Sequence, residues 1–177
     1  MTAATCSTPL AELSALPQAE FVTRLADIFE HSPWIPERAW AGRPFADVGQ
    51  LHAAMLEVLD AATPDEQLGL ICAHPELAGK EAADGTLTDA STAEQRGAGL
   101  DQCTKEELQR LRDLNAAYRA RFGFPFVVAV KGLGRYQIMD GVDARLLNDR
   151  ATEFQACLLY TSLSPRDRTR SRMPSSA

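Results

Sequence analysis

The sequence of 177 residues lacks the patterns that mark membrane-spanning, secreted or metal-binding proteins. No apolar run approaches the length of a membrane span, and no basic segment followed by an apolar one stands at the N-terminus. The four cysteines are widely spaced without a C-x-x-C pair, and the three histidines form no H-E-x-x-H motif. We therefore expect a soluble, cytoplasmic protein with reduced thiols and with chemistry that needs no metal.

Basic side chains are also scarce relative to acidic ones. The chain has 18 lysines and arginines against 24 aspartates and glutamates, a formal net charge of −6. Without the last 21 residues the balance becomes 14 against 23, a net charge of −9. Such an acidic body repels phosphate backbones, which argues against nucleic acid as a partner. The 45% hydrophobic content and the length are those of one folded domain.

What the sequence does contain is helical periodicity with clear start signals. Apolar residues at helical spacing follow Pro17, and a second apolar stripe follows Asp47. Capping patterns at Thr63–Glu66, Ser91–Glu94 and Thr104–Glu107 predict three more helix starts. Helices therefore account for most of the chain.

The main exception to this periodicity is Phe126–Val130. Taken alone, this apolar run fits either a buried strand or a buried helical turn. No other segment offers a partner strand, so we expect extended or helical backbone packed among helices. Residues 136–148 and 150–157 predict two further helices. The prediction is an all-α fold, a single-domain compact bundle of about seven or eight helices, after a loose leader at residues 1–16.

The sequence pattern also predicts whether four particular side chains are buried or exposed. His52 falls off the apolar stripe of its helix, so we expect it to be exposed. Cys72 has no base or basic cluster nearby in the sequence, so we expect it in the core and not as a nucleophile. Trp34 and Trp40 flank one short helical turn, which favours a core position, although a tryptophan pair could also line a ligand pocket.

The pattern changes abruptly at Cys157. Residues 157–177 lose apolar periodicity and are rich in arginine and serine. Their run CLLYTS followed by SPRD resembles the translation of a sequencing adapter. Our hypothesis is that this tail is not authentic coding sequence and that the natural C-terminus is missing. The alternative is a disordered basic tail, which the composition permits.

A histidine and a carboxylate stand at the two ends of the loop within Ile71–Gln95. Pro75 ends one helix at His74, and Glu94 follows Ser91 at the start of the next. An imidazole that faces a carboxylate can act as a general acid–base pair near neutral pH. Local rules also explain both residues without chemistry, because histidine suits a helix C-terminus and Glu94 completes a capping box. On the residues alone, both interpretations stay open.

Four motifs in order extend this pattern: His74–Leu77, Ser91–Gln95, Leu114–Tyr118 and Phe122–Phe126. With them, residues 17–156 resemble the OHCU decarboxylase family, whose members convert 2-oxo-4-hydroxy-4-carboxy-5-ureidoimidazoline to (S)-allantoin in urate breakdown. The resemblance implies an all-helical carboxy-lyase that uses no cofactor, acts on a small anionic substrate and commonly forms a homodimer.

The resemblance also implies a site. His74 would be the catalytic acid or base, and Glu94 would be its carboxylate partner. The expected substrate-binding residues are Pro75, Ser91, Thr92, Ala93, Gln95, Phe126, Val127, Val128, Ala129 and Val130. The family places an arginine in its last helix. Arg168 lies at about the matching distance but within the unusual tail, so we treat the match as coincidence.

Other functions keep the same fold. The chain could be a non-catalytic helical module that binds a small anionic ligand, or an inactive, truncated relative. It could also recruit neighbouring purine-pathway enzymes. Turnover separates these alternatives, because only the enzyme produces (S)-allantoin as a single enantiomer.

Overall fold

The computed structural model describes residues 10–79, 92, 95–130 and 132–172, with side chains as far as Ser162. Eight α-helices have both ends within these ranges. They are α1 Leu10–Ala15, α2 Gln18–Leu25, α3 Trp34–Ala39, α4 Val48–Asp60, α5 Pro64–Ala73, α6 Lys105–Phe122, α7 Arg135–Arg145 and α8 Arg150–Arg172. Short 3₁₀ turns lie at Trp40–Gly42 and Leu100–Gln102. No strand occurs in the described ranges, and the all-α prediction is confirmed.

Two of the three predicted capping boxes form within the described residues, and a further side-chain cap starts α4. At α6, the Glu107 backbone N–H donates to Thr104 Oγ1 at 3.2 Å, and the Thr104 N–H donates to Glu107 Oε2 at 2.9 Å. The same reciprocal pair forms across Thr63–Glu66 at α5, and Asp47 caps α4. Gly123 ends α6 at φ 84°, a left-handed conformation that glycine adopts without a Cβ clash. Local side-chain chemistry therefore sets these helix boundaries.

The chain packs as two compact units. One comprises the residues up to Leu70 together with those from Ser162 onward, and the other is Ile71–Thr161. In the first unit α3 packs against both α2 and α4. The fully buried side chains there include Phe21, Phe29, Ile35, Leu51 and Met55.

Both tryptophans of the first unit are half-buried. The Trp40 indole Nε1 donates to the Leu16 carbonyl at 3.2 Å, and the Arg43 guanidinium lies 3.1 Å from the Trp40 ring centroid. Arg38 covers the Trp34 ring at 4.8 Å. Because arginine and backbone groups cover these indoles, the packing role is favoured over a ligand pocket.

The second unit has an aromatic core. Tyr118 and Phe122, which lie one turn apart on α6, have ring centroids 4.6 Å apart. Phe124, Phe126 and Phe154 complete the cluster at centroid separations of 5.3 to 6.2 Å. Residues 125–130 lie outside helices and strands, and most of their side chains are buried. We expected extended or helical backbone packed among helices; the segment is buried as expected, and its backbone is not helical.

Two predictions of burial are wrong. His52 is buried at 8% exposure, because one residue turns a helix by about 100° and places His52 beside the buried arc of Leu51 and Met55. Cys72 is exposed, because the same step carries it past the buried Ile71 toward solvent. In both cases the error lies in the assumed width of the buried stripe, which packing partners decide.

Both ends of the predicted domain carry ordered structure that the pattern did not indicate. Helix α1 lies inside the expected leader and buries Leu13. Helix α8 continues without a break past residue 156 to Arg172, and Cys157 and Thr161 are buried. The domain boundaries at residues 16 and 156, and the origin of residues 157–177, stay predictions. No helix within the described ranges is long and apolar enough to span a membrane.

Candidate active site

The His74 loop, which we define as residues 74–79, begins where α5 ends. The His74 backbone N–H bonds to the Ile71 carbonyl at 3.2 Å, which closes the last turn, and Pro75 follows. The His74 side chain is half-buried. Ala78, two residues after Glu76, has φ 51°, a left-handed conformation that a residue with a Cβ adopts only when its surroundings hold it there.

One side chain from a later segment holds this strained residue. The Ala78 backbone N–H donates to Gln95 Oε1 at 2.9 Å, and Gln95 is buried at 7% exposure. The two positions are 17 residues apart in the chain. The structure therefore brings the segment that carries Gln95 to the His74 loop. It also uses the side-chain carbonyl of Gln95 for the loop itself, a role that the sequence did not indicate.

Helix α6 holds the same loop from another direction. Asn115 Nδ2 donates to the Leu77 carbonyl at 2.9 Å, and Asn115 is buried at 5% exposure. One turn later, Arg119 Nε donates to Glu76 Oε1 at 2.6 Å. Arg119 is half-exposed and paired with Glu76. Three successive loop residues are thus fixed by three side chains, which gives His74 a defined backbone position.

The second expected part of the site is Phe126–Val130, which we call the apolar segment. Phe126, Val127 and Val130 are buried, while Val128 and Ala129 are half-buried. Arg145 Nη1 donates to the Val127 carbonyl at 2.8 Å, and the guanidinium lies 4.5 Å from the Phe126 ring centroid. A single side chain of α7 therefore binds both the backbone and a ring of this segment.

Arg145 belongs to a buried polar network. Its Nε donates to Glu153 Oε2 at 2.8 Å, and its Nη2 lies 2.8 Å from the same oxygen and donates to the Tyr118 hydroxyl at 3.3 Å. The Tyr118 hydroxyl in turn donates to Glu153. Asn148 Nδ2 donates to Glu153 Oε1 at 2.7 Å, and Arg145 Nη2 lies 3.3 Å from Cys157 Sγ. Helices α6, α7 and α8 meet at this network.

The network shifts the pKa of three of its members. Burial and the hydrogen bond to Glu153 raise the pKa of Tyr118 well above its usual range. Burial alone would raise the pKa of Glu153, but hydrogen bonds from Arg145, Tyr118 and Asn148 outweigh it and hold the pKa below its usual value. Burial would lower the pKa of Arg145, yet its contact with Glu153 raises it. Glu153 and Arg145 are therefore charged and Tyr118 is neutral near pH 7.

The remaining predicted residues fall in or beside a segment of which little is described. Ser91, Ala93 and Glu94 lie outside the described residues, so the capping box expected there and the role of Glu94 stay predictions. Thr92 has helical backbone and is half-buried. Within the described part of the chain, no three His, Cys, Asp or Glu side chains are grouped as metal ligands.

Sequence reasoning did not identify Arg145, Glu153 or the supporting role of Asn115. Glu153 lies on the same helix face as Cys157 and Thr161 at a spacing of four residues, and the structure buries all three. A carboxylate on a buried stripe requires a cationic or hydrogen-bonding partner. The identity of that partner could not be read from the sequence, because Arg145 lies on another helix.

Comparisons with known proteins agree with the resemblance seen in the motifs. A profile of the family described as OHCU decarboxylase matches residues 14–161. The chain is 39% identical over 149 residues to the 2-oxo-4-hydroxy-4-carboxy-5-ureidoimidazoline decarboxylase of Haloferax volcanii, a match that covers 84% of this chain and 86% of that protein. It is 40% identical over 148 residues to a uric acid degradation bifunctional protein of Bacillus subtilis, covering 84% of this chain but 29% of that protein.

A solved structure gives the same result at the level of the fold. The chain is similar to the crystal structure of (S)-allantoin synthase with a TM-score of 0.71 and 28% sequence identity. The match covers 96% of this chain, and the chain spans 55% of that synthase.

Proposed function

This chain belongs to the OHCU decarboxylase family, and from that premise we infer that it removes CO₂ from 2-oxo-4-hydroxy-4-carboxy-5-ureidoimidazoline to yield (S)-allantoin in urate degradation. It is a carboxy-lyase. The substrate is a small anionic heterocycle that carries a carboxylate and a hydroxyl on one ring carbon, next to a C=N bond. Loss of CO₂ can therefore place the bonding electron pair in the conjugated ring.

We propose His74 and Glu94 as the residues that move protons. As CO₂ leaves, its bonding pair forms a double bond toward the neighbouring ring carbon, and the π pair of the C=N bond at that carbon moves onto the ring nitrogen, which takes a proton from water. Glu94 accepts the proton of the substrate hydroxyl as that oxygen becomes a carbonyl. His74 donates a proton to the neighbouring carbon from one face, which makes the product a single enantiomer. Proton transfer by a positioned side chain is typically worth about 10² to 10⁴-fold in rate.

The observation that supports this pairing is the hydrogen bond from the Ala78 N–H to Gln95 Oε1. Gln95 follows Glu94 directly in the sequence, and consecutive Cα atoms are about 3.8 Å apart. The segment that carries Glu94 is therefore tied to the loop that carries His74. We propose that Glu94 turns its carboxylate toward this loop instead of toward the Ser91 backbone.

The substrate pocket is proposed to be completed by Pro75, by the helix start that the sequence predicts at Ser91–Gln95 and by the apolar segment. Backbone N–H groups at a helix start are free to bind an anionic oxygen. Buried side chains of the apolar segment, such as Phe126, would exclude water and strengthen these polar contacts. Arg168 is not assigned a role.

The test is a coupled assay in which freshly generated 5-hydroxyisourate and its hydrolase supply the substrate, and circular dichroism follows (S)-allantoin. We expect His74→Ala and Glu94→Ala each to lower kcat by about 10² to 10⁴-fold with helicity unchanged. The matched controls are His31→Ala and Glu106→Ala, which remove an exposed histidine and an exposed carboxylate and should turn over substrate normally. Wild-type rates in either site variant would refute the assignment. Binding of (S)-allantoin without turnover by the wild-type chain would favour a non-catalytic module.

We further propose that the chain acts as a homodimer, as the resemblance implies, and that it is located in the cytoplasm, as its composition suggests. Tyr136, Leu147 and Leu159 in the second unit are large apolar side chains with exposures of 55%, 84% and 57%, and such groups are candidates for an interface. Light scattering after size exclusion would measure the mass directly. A monomer across the accessible concentration range would remove this part of the proposal, and cell fractionation would test the location.

A further inference from the structure

We propose that Arg145 is a positioning residue for the substrate-facing backbone of the apolar segment. This inference rests on the proposed function, which places Phe126–Val130 in the pocket wall. Arg145 is assigned no contact with the substrate. It acts through the Val127 carbonyl, which its Nη1 binds at 2.8 Å.

The geometry of the guanidinium leaves it little freedom. Nε donates to Glu153 Oε2 at 2.8 Å, and Nη2 lies 2.8 Å from the same oxygen and donates to the Tyr118 hydroxyl, so the planar guanidinium is anchored and Nη1 has a defined direction. The Glu153 carboxylate is fully buried, and the Arg145 side chain is 14% exposed. The donor that reaches Val127 is therefore part of a rigid unit and not of a mobile surface arginine.

Fixing the Val127 carbonyl also fixes a donor on the other side of the segment. In a trans peptide unit, the C=O of one residue and the N–H of the next are coplanar and point in opposite directions. The Val128 N–H is thereby directed away from Arg145 and its network. The exposure pattern agrees with this direction, because Phe126 and Val127 are buried while Val128 and Ala129 are half-buried. An oriented N–H at a partly open position is suited to an anionic substrate.

The energetics favour a positioning role over a purely stabilising one. Taking an arginine and a glutamate out of water is costly, and apolar side chains of similar size often stabilise a core as well or better. What an apolar side chain cannot supply is a directional hydrogen bond to one chosen carbonyl. The buried charge pair is thus explained by the orientation that it imposes on the Val127–Val128 peptide.

The experiment compares two substitutions within the same network. Arg145→Lys keeps the positive charge beside Glu153 but lacks the fork that binds Glu153 and the Val127 carbonyl together. Tyr118→Phe removes the hydroxyl that donates to Glu153 and accepts from Arg145 Nη2, but it keeps the Nη1 donor that binds the Val127 carbonyl. We expect Arg145→Lys to raise KM by about tenfold with kcat changed less than about threefold, and Tyr118→Phe to leave KM within about twofold.

A second readout is independent of turnover. In the wild-type protein, the amide resonance of Val128 should shift when (S)-allantoin is added, and in Arg145→Lys this shift should be lost while the His74 loop amides still respond. Equal KM values in wild type and Arg145→Lys would overturn the inference and leave the proposed function standing. Equal increases of KM in both variants would also overturn it, because they would indicate general destabilisation. A wild-type chain without turnover would overturn the proposed function and this inference together.

Discussion

The His74 loop and the apolar segment are both held in place by side chains, but by contacts of different kinds. The loop is held by two neutral amides, Gln95 and Asn115, and by the half-exposed pair of Arg119 and Glu76. The apolar segment is held by Arg145, whose charge is compensated inside the protein by a fully buried Glu153. The first set costs little desolvation, and the second costs a great deal.

Because of this difference, mutations in the two regions should have different consequences for stability and activity. Loss of a neutral contact to the loop leaves a polar backbone group poorly paired but creates no buried charge. Loss of one partner in the Arg145 and Glu153 pair leaves an uncompensated charge in the core. We therefore expect changes at the apolar segment to dominate unfolding, and changes at the loop to affect activity more than their stability cost suggests.

The largest expected effect comes from Arg145→Leu. Glu153 would remain fully buried without its cation, so we expect a loss of about 3–5 kcal/mol in the free energy of unfolding, measured by urea denaturation. Replacing both Arg145 and Glu153 with leucine removes the uncompensated charge and should recover most of that loss. If the double variant is no more stable than the single one, buried charge is not what distinguishes the two regions.

Asn115→Ala tests the loop side of the comparison. Removing the amide that donates to the Leu77 carbonyl should cost about 1–3 kcal/mol of stability, because a partly buried acceptor loses its partner. Displacement of the His74 loop should also lower kcat/KM by about tenfold or more. Gln109→Ala removes an exposed amide from the same helix, and it should change stability by less than about 0.5 kcal/mol and leave activity intact. Full activity in Asn115→Ala would show that the loop does not need this contact.

Alkaline pH should weaken the network through Tyr118, whose pKa is raised by burial and by its bond to Glu153. A raised pKa contributes stability that is fully present below the unfolded value of about 10 and is lost as the pH rises above it. We expect this residue to lower the free energy of unfolding by up to about 1.4 kcal/mol per pH unit above that value. Urea unfolding between about pH 9 and pH 11 measures the slope.

The control for this measurement is the other tyrosine with a carboxylate partner. Tyr136 is 55% exposed and donates to Glu107 at the surface. Tyr118→Phe should flatten the alkaline slope, whereas Tyr136→Phe should retain it. Identical slopes in the two variants would mean that the buried hydroxyl does not titrate as described.

The smallest effect is expected for the most exposed of the three loop contacts, the ion pair of Arg119 and Glu76. Arg119 is 48% exposed and Glu76 is 28% exposed, so water and salt screen their attraction. Arg119→Ala should cost at most about 1 kcal/mol, and less at high salt. Arg112→Ala removes the same charge from an exposed position on α6 and serves as the reference. If Arg119→Ala lost more unfolding free energy than Asn115→Ala, and lost it equally at low and high salt, the proposed order of the loop contacts would be reversed.

Much of the fold could be predicted because its signals are local. The boxes at Thr63–Glu66 and Thr104–Glu107 act across three residues, and both helices start where these boxes predict. His52 and Cys72 were placed wrongly for a related reason. Periodicity shows that a helix has a buried side, but the elements packed against it decide how wide that side is.

The residues of the candidate site also fall into two groups, those with a local sequence signal and those without one. His74 and Pro75 were predicted from a helix stop, and α5 does end just before His74. The role of Gln95 at Ala78 and that of Asn115 at Leu77 could not be predicted, because each joins residues 17 or 38 positions apart. Nothing in the sequence indicated that Glu153 is buried or pointed from it to Arg145.

By itself, the sequence determined the helical class, the positions of several helix ends and, through four ordered motifs, the family and its reaction. These depend on interactions within a turn of helix or on the order of motifs along the chain, both of which can be read in one dimension. Only the tertiary structure decided which side chains hold the His74 loop and how Arg145 orients the Val127 carbonyl. Those contacts form between segments far apart in the chain, where packing and desolvation select the partners.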